Sequence, residues 1–311
     1  MDTAIETIDL ARSFDDLVAV QALRLTVHPG EMFGLVGPDG AGKTTTIRML
    51  CGILAPTSGT AKVLGYDIVK DADRVKAEIG YLSQKFSLYG DLSVDENIEF
   101  FAEVNKVYKY KQRREELLEF TRLSPFRKRL AEHLSGGMKQ KLALACTLVH
   151  TPKIIFLDEP TTGVDPVSRR DFWKILQSLL QQGITIVMST PYLDEAERCS
   201  RVALINKGAL MQVDTPGNMK HSMRGEVLEI VCDRVRDAFA ILKNHPAVRE
   251  VQAFGDRLNV IADNAARSMA AIEVALKAKD IRIGGWRKID PSLENVFISL
   301  LTHNEHHEVA V

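Results

Sequence analysis

The run Gly37-Pro38-Asp39-Gly40-Ala41-Gly42-Lys43-Thr44 constrains this chain more than any other stretch of it. Residues 31–36 before it are short and mostly apolar, and residues 44–51 after it suit a helix, so the pattern predicts strand, loop, helix. Glycines in such a loop let consecutive backbone N–H groups turn toward one anion, and the following helix adds its positive end. Lys43 then supplies a point charge for a β and γ phosphate, Thr44 offers a hydroxyl to Mg²⁺, and Thr45 stands beside it in the first helical turn. A phosphate loop in this context predicts a nucleotide-binding α/β core.

At 311 residues the chain exceeds one average domain, and two domains are expected. Lys and Arg number 40 against 41 Asp and Glu, which leaves no net field to hold a polyanion, so nucleic acid is not an expected partner. Cys51, Cys146, Cys199 and Cys232 lack CxxC spacing, and the N-terminus shows no basic-then-apolar segment. Reduced thiols and a cytoplasmic setting follow as expectations. The longest uncharged stretch, 175–193, is interrupted by glutamines, Gly183, Ser189 and Pro191 and does not suit a bilayer span. Any membrane connection is expected through a partner.

Buried strands are expected at 153–157, where Ile154, Ile155, Phe156 and Leu157 are continuously apolar, and at 184–188. Between residues 86 and 150 lie charged, Leu-rich stretches, such as 111–121 and 139–150, that read as an inserted helical subdomain. Past Gly217 the pattern becomes strand 227–232, helix 235–244, strands 248–254 and 258–261, helix 265–278, strand 281–289 and helix 292–302. That order is the one of a small α+β, ferredoxin-like unit, read as a regulatory or dimerisation domain. The expected boundaries are therefore 1–217, 218–303 and a tail 304–311, whose neighbouring His303, His306 and His307 read as a solvated terminus without a role.

Asp158 and Glu159 close the apolar strand, at the sheet end where α/β folds meet their ligands. Asp158 is the candidate Mg²⁺ holder, and Glu159 the candidate general base for an attacking water. Upstream, Leu134-Ser135-Gly136-Gly137-Met138-Lys139-Gln140 sets a hydroxyl and two glycines before a helix expected from about Met138, a second possible anion site. Phosphate loop, Asp-Glu pair and this Ser-Gly-Gly signature, in this order, resemble the ATP-binding cassette (ABC) family over residues 5–217.

The resemblance implies a P-loop NTPase of the ABC type, with ATP and Mg²⁺ as ligands. It implies that Phe14, with Val20 nearby, lies under adenine, and that Gln84 senses Mg²⁺ beside the contact with a membrane subunit. Lys43, Gln84 and Glu159 become the catalytic set, and residues 161–165 a dimer-interface loop. Ser135, Gly136 and Gly137 would reach across to the phosphate held by a second nucleotide-binding domain. One position departs from the family: where it carries a switch histidine, this chain has Pro191, which lacks a side-chain donor and an N–H. Thr190, Tyr192 or a water are the alternatives that could compensate.

Residues 86–97 and the ending Pro291-Ser292-Leu293-Glu294-Asn295-Val296-Phe297 resemble exporter-type cassette subunits. The implied function is the ATPase subunit of a membrane exporter, at the inner face of the membrane. It would dock on separate transmembrane subunits near Gln84 and the helical insert. The alternative is a soluble or regulatory cassette ATPase with weak hydrolysis. Soluble cassettes usually carry two cassettes with a charged linker, or a long coiled-coil insertion, and neither is in this sequence.

Overall fold

The computed structural model describes residues 3–85 and 88–308. Phe86 and Ser87 of the exporter-like stretch, residues 309–311, and the side chains of 303–308, including the three histidines, lie outside the described residues. The chain divides into two compact units, Met1–Val213 and Asp214–Val311. The division falls ahead of Gly217 because Thr215 already caps the first helix of the second unit, accepting from the Asn218 N–H at 3.1 Å.

In the first unit the chain runs through β1 (Ile5–Phe14), β2 (Leu17–Val27), β3 (Met32–Val36), α1 (Lys43–Leu50), β4 (Ser58–Val63), β5 (Tyr66–Asp67), α2 (Ala72–Glu78) and β6 (Ile79–Leu82). Three helices follow, α3 (Val94–Val104), α4 (Tyr110–Phe120) and α5 (Gly136–Leu148). Then come β7 (Ile154–Asp158), α6 (Pro166–Gln181), β8 (Thr185–Thr190), α7 (Leu193–Ala196), β9 (Arg201–Asn206) and β10 (Ala209–Asp214). The central sheet has the order β10-β9-β3-β8-β7-β6, and the pairs β9–β3, β3–β8, β8–β7 and β7–β6 are parallel. β3 and β7 are buried at every residue, as strands covered on both faces must be. A second, antiparallel sheet, β2-β1-β4-β5, carries Phe14 at the end of β1.

The region between β6 and β7 is helical, with one helix more than the two stretches singled out by sequence. α3 starts on a capping box: Ser93 Oγ accepts from the Glu96 N–H at 3.3 Å, and Glu96 Oε2 accepts from the Ser93 N–H at 2.7 Å. Asn97, fully buried, donates through Nδ2 to the carbonyls of Tyr89, Leu92 and Ser93 and so folds the loop that leads into α3. The described part of the exporter-like stretch is thus a loop stapled to a helix start. No helix among the described residues is long and apolar enough to cross a membrane.

The second unit contains α8 (Pro216–Ser222), β11 (Glu226–Cys232), α9 (Val235–Leu242), β12 (Glu250–Phe254), β13 (Arg257–Ala262), α10 (Ala265–Lys277), β14 (Ile283–Ile289) and α11 (Leu293–Glu308). Its sheet is antiparallel in the order β12-β13-β11-β14, over a core that includes Leu228, Ile230, Leu258, Val260, Met269 and Ile272. α11 runs past Thr302, where the sequence pattern ends it. Asn295, within the 291–297 motif, is fully buried and donates to Gln252 Oε1 of β12 at 2.7 Å, while Gln252 Nε2 donates to the Asn295 carbonyl at 3.1 Å. This polar tie pins α11 to the sheet edge. Asn295→Leu leaves Gln252 Oε1 buried without its donor, and guanidinium unfolding should report a loss of about 1–3 kcal/mol; an unchanged midpoint would show that the tie is replaced by water.

Candidate functional site

The phosphate loop leaves the C-terminal end of β3 and turns into α1. Gly37 is buried, and a Cβ there would lie 2.0 Å from the Ile205 carbonyl oxygen, so no larger residue fits. Gly42 has φ +96 and caps α1, and a Cβ there would meet the Ala19 carbonyl oxygen at 2.3 Å. Lys43 is almost fully buried, and its Nζ donates to the carbonyls of Gly37 at 2.8 Å and Pro38 at 2.9 Å, with Glu159 Oε1 at 3.4 Å. Three oxygens therefore compensate the buried ammonium.

Parallel pairing of β7 and β8 sets Asp158 opposite Ser189. Asp158 Oδ1 accepts from Ser189 Oγ at 2.6 Å and from Thr44 Oγ1 at 3.0 Å, while its buried Oδ2 has no partner. An orphaned carboxylate oxygen next to the Thr44 hydroxyl is an all-oxygen donor set, the kind that hard cations such as Mg²⁺ take. The residues present fit the metal. The Glu159 N–H donates to Ser189 Oγ at 3.0 Å, and Glu159 sits at φ +49, a conformation that costs a non-glycine residue energy. Its carboxylate is held from two sides, by Lys43 and by Gln84 Nε2 at 2.9 Å. Burial, and then the charge of Asp158, push the Cys51 thiol at the end of α1 well above its ordinary value, which keeps it protonated.

A cleft of about 560 Å³ joins these groups, bounded by Phe14, Val18, Gly40, Lys43, Thr44 and Glu159, with Asp39, Ala41, Gly42, Thr45 and Gln84 also on its wall. Phe14 is 41% exposed, one face of its ring covered by the Arg12 guanidinium 4.5 Å from the centroid. Three sequence assignments change. Val20 is 1% exposed and belongs to the core, and the half-exposed Val18 takes the place beside Phe14. Gly37 and Pro38 are off the cleft wall and serve it through the carbonyls that hold Lys43. α5 begins at Gly136 rather than Met138, and Gly137 is buried against Ser168 of α6, where a Cβ would sit 2.3 Å away.

Ser135 caps α5 by accepting from the Met138 N–H at 3.3 Å. Ser135 and Gly136 are exposed, and Gly136 borders a separate hollow of about 450 Å³ with Gln84 and residues 162–164. A single chain therefore does not bring the Ser-Gly-Gly signature to its own phosphate loop. Asp165, closing the loop after Glu159, caps α6 through the N–H groups of Val167 and Ser168.

Two residues of the site escaped the sequence reading. Ser189 carries the bonds to Asp158 and Glu159 just described. Glu195, 1% exposed, accepts from the hydroxyls of Thr161 and Thr190, with Arg169 Nε at 3.6 Å, and so ties the turn after Glu159 to the end of β8. Thr190 in turn accepts from the Tyr192 N–H at 3.0 Å. Neither residue belongs to a spacing motif; only the strand order reveals them. Ser189→Ala removes the donor that orients Asp158, and such supporting contacts govern metal affinity by roughly 10- to 100-fold. Calorimetry should find nucleotide binding weakened when Mg²⁺ is present and unchanged in EDTA; equal loss in both would assign Ser189 to packing alone.

A family model described as ABC transporter matches residues 20–162. The probable multidrug ABC transporter ATP-binding protein YbhF of Escherichia coli (strain K12) is 42% identical over 316 residues. That match covers 97% of this chain and 53% of YbhF, so the chain spans about half the length of that relative. The daunorubicin/doxorubicin resistance ATP-binding protein DrrA of Streptomyces peucetius is 39% identical over 76% of this chain and 71% of its own. The Nod factor export ATP-binding protein I of Cupriavidus metallidurans is 34% identical over 96% of this chain and 98% of its own. A solved ATP binding subunit of an ABC transporter superposes with a TM-score of 0.64 at 27% identity, covering 70% of this chain and 92% of that one. With a phosphate loop, a metal-ready Asp158 and a Glu159 held beside Lys43 in one cleft, and with these relatives, the chain belongs to the ABC transporter family, among its ATP-binding proteins.

Proposed function

We propose that the chain is the ATP-hydrolysing subunit of a membrane exporter, in which two cassettes close on nucleotide. One observation carries this reading: the phosphate loop and Glu159 share one cleft, with Asp158 hydrogen-bonded to Thr44 behind its wall, while Gly136 borders a different hollow, where a second cassette's nucleotide would meet it. The matched relatives' names, which speak of multidrug transport, daunorubicin resistance and Nod factor export, support the exporter class. In this reading Phe14 stacks on adenine through the ring face that Arg12 leaves open. The loop N–H groups and Lys43 hold the phosphates, the lysine exchanging its carbonyl partners for the stronger anion. Thr44 and Asp158 hold Mg²⁺, assisted by Gln84, and the metal supplies neutralising charge at the β and γ phosphates. Glu159, steadied by Gln84, takes the proton of the attacking water at its carboxylate.

The inserted helices and the surface near Gln84 are the proposed docking region for transmembrane subunits, which places the chain on the inner face of the membrane. The order β11-α9-β12-β13-α10-β14 and the sheet order β12-β13-β11-β14 support a ferredoxin-like second domain with a regulatory or dimerising role.

Hydrolysis is slow at this chain's own site in the same reading. Pro191 follows β8 directly and contributes no donor. Among the alternatives, the Thr190 hydroxyl is spent on Glu195 and the Tyr192 N–H on Thr190, which leaves the Tyr192 phenol or a water as the donor that would have to compensate. One preorganised donor to developing phosphate charge is worth ~10²- to 10³-fold in rate. Turnover of the purified protein should therefore be slow and rise toward that factor in Pro191→His, while Glu159→Gln keeps ATP and favours the closed pair. Brisk turnover in the unchanged protein would sink the slow-site reading, and failure to co-purify with any polytopic membrane protein would sink the exporter.

A further inference from the structure

The sheet of the second unit ends in β14, whose outer edge has no strand beside it among the described residues. Residues 284–288 are all exposed, with Trp286 in the middle at 43%. The opposite edge strand, β12, has α9 and α11 packed next to it, and β14 has α10. Natural sheets guard a bare edge with charge, proline, a bulge or a covering element. β14 has two cations, but both are turned back onto their own sheet: Arg287 Nε lies 2.8 Å from Glu229 Oε1 and Lys288 Nζ 2.6 Å from Glu226 Oε1. Those contacts hold both carboxyls below their usual range. Gly284 and Gly285 add no side chain that could block an approaching backbone.

We propose that β14 is a self-association edge, pairing antiparallel with β14 of a second copy of this chain. The strand Ile283–Ile289 is self-complementary about Trp286. With the two-fold axis there, Ile283 faces Ile289, Gly284 faces Lys288, Gly285 faces Arg287, and Trp286 faces itself. Apolar residues meet at both ends, and each long cation lies across a glycine instead of another cation. Moving the axis one residue on, to Arg287, sets two arginines opposite each other. This pairing gives the dimerising role proposed above for the second domain a definite surface and rests on that reading; it needs neither nucleotide nor the closing of two cassettes, so its failure is distinguishable from failure of the exporter reading.

Seven residues make a small interface of the weak class, so association is followed by sedimentation of the full chain from ~1 µM to ~1 mM, without nucleotide or Mg²⁺. A reversible dimer is expected. A Cβ at Gly285 meets nothing within 4 Å, so substitutions there leave the chain's own fold undisturbed. Gly285→Glu creates two symmetry-related pairs with Arg287 and should tighten the dimer by roughly 2- to 30-fold, while Gly285→Arg should loosen it by a similar factor. Trp286→Cys should give a covalent dimer under mild oxidation, because paired Cα atoms at about 4.5–5.5 Å lie within disulfide reach and the four native cysteines are buried. A chain that stays monomeric over the whole range, or dimerises only with ATP, overturns β14 pairing. So does a common shift of both Gly285 variants, or a dimer that Trp286→Cys fails to trap.

Discussion

The 2.6 Å bond from Ser189 to Asp158 joins two neighbouring strand ends, and the rest of the site is arranged around it. Ser189 also receives the Glu159 N–H, so one hydroxyl orients the Asp158 carboxylate and fixes the backbone of Glu159. Thr44 closes the arrangement from the start of α1, bonding the same Asp158 oxygen. What remains is a single buried carboxylate oxygen without a partner, next to a hydroxyl. Buried polar atoms are rarely left so unless something completes them.

The same economy governs Lys43. Burying an ammonium without partners would be prohibitive, and two loop carbonyls and Glu159 satisfy it. The loop is therefore folded around the lysine's charge. Glu195 performs the corresponding task on the far side of Glu159, drawing Thr161 and Thr190 onto one buried carboxylate. That use of Thr190 commits the hydroxyl just before Pro191 to Glu195.

How legible these features are follows from how local they are. The phosphate loop is contiguous, and its glycines, lysine and threonine announce a turn that the structure places between β3 and α1. The 291–297 motif is also contiguous, but its work is done by Asn295 against Gln252, which lies on a strand more than forty residues earlier. Val20 shows the limit on a strand: β1 and β2 pair with register shifts after Leu10 and Arg12, so simple alternation does not tell which of Val18 and Val20 faces the cleft. α5 starts earlier than its apolar pattern because Ser135 caps it, and the cap rather than the pattern sets the first residue.

By itself the sequence determined the chemistry: a loop able to cradle phosphates, an Asp-Glu pair at the end of a buried strand, a helix start with a hydroxyl and two glycines, and a second unit of strands and helices in a fixed order. Those depend on neighbours along the chain. Only the tertiary structure decided which atoms meet, because Ser189 reaches Asp158 through the adjacency of β8 and β7, and Glu195 reaches Thr161 through a turn more than thirty residues away. It also decided that the Ser-Gly-Gly signature and the phosphate loop of one chain line different hollows, and that the β14 cations pair with carboxylates of their own sheet. Strand order is set by the burial of whole faces, and no local spacing encodes it.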